Sequence, residues 1–148
     1  RLEGLRSKNT AADDLEAVDR ALAAHLCRCT GWQTIREAWS MVVSGSSAVE
    51  ALIATLRVWF SRPDFRGCAF LNAAAELGSS APEILRTVRR HKQEMSSVLD
   101  NIFSDDAVSA GSRLSLMIDG AIVHAQMGQA VDEVLENLKA SVEGVLRR

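Results

Sequence analysis

Apolar positions recur at helical spacing along most of the chain, separated by short polar or small-residue breaks. Strand signals are nearly absent: there is no tyrosine, little strict alternation, and no Asn-Gly or Asp-Gly turn of the kind that closes a hairpin. Thr10 with Asp13 resembles a capping box, and Leu15, Val18, Leu22 and Leu26 follow on one helical face. Residues 27–31 break that helix. A second spans about 32–43, with Ile35, Trp39 and Val42 on one side. Gly45-Ser-Ser47 reads as a linker. A third helix covers about 48–61 and is stopped by Pro63, leaving residues 62–67 as a loop. A short helix over 69–77 ends at Gly78, and Ser80 with Pro82 opens a long one reaching Phe103. The next, about 108–127, is apolar over more than one face and ends at Gly128. The last, about 131–146, carries Val134, Leu135, Leu138, Val142, Val145 and Leu146 as one stripe. The pattern predicts an all-α fold of about seven helices, divided near residue 45.

Composition narrows the class. The 148 residues are 47 % apolar and 24 % charged with a formal net charge of −2, as in an ordinary globular protein without a basic field for nucleic acid. Charged residues interrupt every apolar stretch before it reaches the roughly 18–20 residues that span a bilayer. No signal-peptide pattern opens the chain, which starts at Arg1 and so reads as a fragment or processed product. The three cysteines, Cys27, Cys29 and Cys68, do not make a disulfide framework, and a reducing cytoplasm is the expected compartment.

The two parts carry different resemblances. Residues 21–38, Ala-Leu-Ala-Ala-His-Leu-Cys-Arg-Cys-Thr-Gly-Trp-Gln-Thr-Ile-Arg-Glu-Ala, resemble the helical half of the [2Fe–2S] subunit of molybdenum hydroxylases, the xanthine dehydrogenase and aldehyde oxidoreductase family. The likeness covers roughly residues 1–44. It implies that Cys27 and Cys29 are two of four cluster ligands and that Gln33 lies near the pterin. The family's other pair, Cys-Gly-x-Cys, is not in this sequence, so a cluster needs two thiolates from elsewhere, and a second copy of the chain is one source. His25, beside the pair, is a further ligand candidate or an ordinary helix-end histidine.

Residues 48–148 resemble the C-terminal, ligand-binding and dimerisation region of TetR-type transcriptional regulators. The carrying segments are Trp59-Phe60, Arg62-Pro-Asp-Phe-Arg-Gly-Cys-Ala-Phe-Leu-Asn-Ala-Ala-Ala-Glu76, His91-Lys92 and Asp119-Gly-Ala-Ile-Val-His-Ala125. The resemblance implies an effector pocket enclosed by the middle helices and a dimer interface built by the last two. No helix-turn-helix precedes them in this sequence, so direct contact with nucleic acid is not expected. Cys68 then reads as a small buried residue of that domain.

Individual residues sharpen these expectations. Trp59, Phe60, Phe70, Met95 and Met117 are core residues or pocket walls. Asn72 and Asp119 are polar groups amid small and apolar neighbours and must find partners, in an effector or in the protein itself. Ala121, His124, Ala125, Val134, Leu138 and Val145 are the expected dimer contacts, because one chain of this size cannot cover two broad apolar helices. The basic run around His91 reads as a solvated helix face. No catalytic constellation stands out. The expected function is effector binding and dimerisation in a TetR-like regulator, with a homodimer and a small apolar effector as partners and no membrane. The alternative is a [2Fe–2S] electron-transfer fragment of a molybdenum hydroxylase.

Overall fold

The computed structural model of the protein describes residues 47–103 and 110–147. Among the described residues there are five α-helices and no strand: α1 (Ala48–Phe60), α2 (Ala69–Leu77), α3 (Pro82–Phe103), α4 (Gly111–Gln126) and α5 (Val131–Leu146). The two helices expected before residue 45 lie outside these residues. The chain divides into two compact units, one ending at Trp59 and the other starting at Phe60.

In the first unit α1 begins at a cap that composition alone disguises as linker. Ser47 Oγ accepts the Glu50 amide at 3.2 Å, within a Ser-x-x-Glu pattern, and the Ser47 carbonyl takes the first helical bond from Ala51. Ala51, Thr55, Leu56 and Trp59 recur at helical spacing and are buried. Thr55 satisfies its buried hydroxyl by donating to the Ala51 carbonyl at 2.6 Å, one turn back.

The second unit is built around α4, which packs against α3 on one side and α5 on another. This explains why its sequence is apolar over more than one face: Leu114, Ile118, Ala121 and Ile122 are all buried. Lys92 of α3 meets Asp119, whereas Asp100 meets Gly111, so α3 and α4 run antiparallel. The seating is close because residue 111 has no side chain. A Cβ there would run into the Ser96 carbonyl oxygen and lie 2.9 Å from the Asp100 nitrogen. The same approach supplies the helix start. Ala110 at the N-cap has no capping group, and the Asp100 carboxylate instead accepts the Gly111 amide at 2.6 Å.

The far end of α4 closes in a Schellman motif. Gly128 adopts φ +87°, its amide donates to the Ala125 carbonyl at 3.0 Å, and the Gln129 amide donates to the His124 carbonyl at 3.2 Å. The turn sends the chain back as α5, whose first turn carries Asp132 and Glu133 at the positive end of the helix dipole. Val134, Leu135, Leu138 and Val142 complete the core, while Val145 and Leu146 of the same stripe are half-buried. The short helix α2 also packs on α3, with the Phe70 ring stacked on His91 at 3.8 Å.

Gly111→Ala is expected to destabilise the second unit by about 1–3 kcal/mol, because backbone atoms of α3 must give way. Denaturant unfolding monitored by circular dichroism checks it, and an unchanged midpoint would show that α4 does not seat this closely.

Candidate functional site

The polar residues expected to anchor a ligand are engaged within the chain. Lys92 Nζ donates directly to Asp119 Oδ1, linking α3 to α4, with the two side chains 18 % and 20 % exposed. Asn72 Nδ2 donates to the Arg66 carbonyl at 2.9 Å, and its oxygen accepts from Gln126 Nε2 at 3.3 Å. Asn72 and Gln126 thereby tie α2, the loop before it and the end of α4 together.

That loop is well specified by local chemistry. Phe65 N donates to the Arg62 carbonyl at 3.0 Å across a turn with Pro63 at its second position. Arg62 and Asp64 form a two-pronged pair at 2.9 and 3.0 Å, and the Arg62 guanidinium holds the Asp64 carboxyl below its ordinary range. The pair is solvated and adds little stability. Phe65 packs on Phe60 with ring centres 5.2 Å apart. Gly67 has φ +75°, and a side chain there would overlap the Gln126 amide.

Trp59 is buried at the end of the first unit, Met95 is half-buried on α3, and Phe60 and Phe70 hold Phe65 and His91. His91 and Lys92 face neighbouring helices instead of forming a solvated face, while Arg86, Arg89 and Arg90 are exposed. Cys68 is half-buried just before α2 and is a free thiol. Cys27, Cys29, Gln33 and His25 lie outside the described residues. Among the described residues no group of three or more His, Cys, Asp or Glu side chains could hold a metal ion.

What the structure does bring together is a groove of about 380 Å³ along the outer seam of α4 and α5. Met117, Ala121, Val134 and Leu138 give it apolar walls, and His124, Gln129, Glu133, Asn137 and Ser141 give it polar ones. Ala121, Val134 and Leu138, expected at a dimer interface, are packed within the chain, with Ala125 and Val145 half-buried and His124 exposed. His124 Nδ1 lies 2.6 Å from Gln129 Oε1, a contact the Schellman turn makes possible. Beside the groove α4 and its C-cap residue present three large apolar side chains to solvent: Leu116 at 73 %, Met127 at 64 % and Val123 at 41 % exposure. With Gly120, whose missing Cβ faces open space, they form one stripe at i, i+4, i+7 and i+11. Sequence reasoning passes over this stripe. No described helix is long and apolar enough to cross a membrane.

Compared with known proteins, the chain matches no family model, no curated protein and no solved structure.

Two outcomes test the polar linkages. A double-mutant cycle with Lys92→Met and Asp119→Asn is expected to give a coupling of about 1–2 kcal/mol, above that of a solvated pair. Gly67→Ala is expected to destabilise by about 1–2 kcal/mol from its left-handed backbone alone. Parallel urea titrations measure both, and a coupling near zero would mean that Lys92 and Asp119 do not pair in solution.

Proposed function

We propose that the helical region from residue 46 onward is the effector-binding and dimerisation domain of a TetR-like transcriptional regulator. The observation that carries this reading is the outward face of α4. Leu116, Val123 and Met127 stand exposed in a line, with Gly120 leaving room between them. Isolated exposed apolar side chains need no explanation, but an aligned set on a central helix marks a surface suited to a partner. Glycine inside a helix is unfavourable by about 1 kcal/mol relative to alanine, which is understandable where a second helix must come close. The natural partner is a second copy, since a two-fold axis lets one self-complementary stripe cover both.

The sequence resemblance supplies the regulatory half of the reading. An effector would favour one spacing of the paired helices, and a DNA-reading module joined to such a dimer would feel that spacing. The cytoplasmic setting and the contribution of Cys27 and Cys29 to a [2Fe–2S] cluster belong to the same proposal, the latter with two thiolates supplied from outside this chain.

Sedimentation equilibrium of the whole chain at micromolar concentration is expected to return twice the 16.1 kDa chain mass. Replacing Leu116 and Met127 together by Glu is expected to give a monomer with undiminished helical circular dichroism, because neither side chain is part of the core. A monomeric wild-type chain would sink the reading.

A further inference from the structure

We propose that the α4–α5 groove is a binding site for an amphipathic ammonium ion, its alkyl part lying along the groove and its charged head at Glu133. This rests on reading the domain as effector-binding and names the site and the ligand class. The charged side chains that line the groove are of one sign, negative. Glu133 is its one carboxylate, and no Lys or Arg lines it. Gln129 Oε1, an amide oxygen, accepts, so His124 Nδ1 donates in their 2.6 Å bond and is not free for a ligand. Ser141 Oγ spends its proton on the Asn137 carbonyl at 2.8 Å, and its lone pairs are what it has to offer a ligand. A carboxylate with no Lys or Arg beside it matches a donor with positive charge and opposes a carboxylate or phosphate.

Shape sets the other end of the molecule. Along α4 the groove runs from Met117 to His124, seven residues and so about 10 Å of helix rise. Its apolar walls, Met117, Ala121, Val134 and Leu138, lie along that length, while Glu133 is on the first turn of α5, next to the Schellman turn that ends α4. An n-alkyl chain of about eight carbons spans the distance and fits within the groove volume.

Isothermal titration of the whole chain with n-octylammonium, below its aggregation concentration, is expected to show saturable binding, with octanoate at least tenfold weaker. Glu133→Gln is expected to weaken octylammonium binding about tenfold, and Glu136→Gln, an exposed carboxylate on α5 outside the groove, to leave it unchanged. Equal binding of octanoate, undiminished binding by Glu133→Gln, an equal loss in both variants, or no saturable binding would each overturn the proposal. Light scattering on the same samples keeps the two readings apart. A dimeric chain that fails these tests removes only the ammonium site, and a monomeric chain that passes them keeps the site and removes the dimer.

Discussion

The close contact between the start of α4 and the C-terminal part of α3 is the constraint on which the second unit depends. An α-helix leaves its first amides without internal partners, and α4 starts from Ala110, which has no side-chain oxygen to offer. Asp100 supplies one from eleven residues earlier, but only because Gly111 lets the two backbones meet. The Lys92–Asp119 pair, about two turns further along, holds the same two helices in one register. With α4 fixed in this way, its far end fixes the rest. Gln126 reaches Asn72 and the loop before α2, and Gly128 turns the chain back so that α5 closes the core.

Much of the helix layout was legible because the apolar period repeats through each segment and stops at recognisable residues. The bounds 69–77, 82–103 and 131–146 follow from Gly78, Pro82, Gly128 and the stripe ending at Leu146. The start of α4 was not legible. The pattern places it near residue 108, whereas the helix begins at Gly111, because its cap comes from another helix and leaves no local signal. The start of α1 at Ala48 was legible from the break after the linker, but its cap was not. Ser47 looks like linker by composition, and only its spacing to Glu50 reveals a cap.

The polar sites show the same division. That Asn72 and Asp119 needed partners followed from their apolar neighbours, but the partners did not, because Gln126 and Lys92 lie 54 and 27 residues away. The exposed stripe was hidden by the nature of α4 itself. A helix apolar on several faces gives no weak side, so nothing in its pattern says that Leu116, Val123 and Met127 are the ones left in solvent. Only the positions of α3 and α5 decide it, by occupying the other faces.

Groove and stripe lie side by side, and Gly120 belongs to both. In the proposed dimer a second copy seated on the stripe would lie beside the groove and could roof it. Roofing by the partner would exclude water from the Glu133 end and strengthen its attraction for a cation, since Coulombic interactions grow as the surroundings become less polar. An ammonium ion in each groove would in turn neutralise the two like carboxylates brought toward the same interface. The two equilibria are then linked: whatever affinity the ligand gains from the dimer, the dimer gains from the ligand. Such reciprocity would be the physical content of the proposed effector-binding and dimerisation domain, and Gly120, shared by groove and stripe, is where the two would meet.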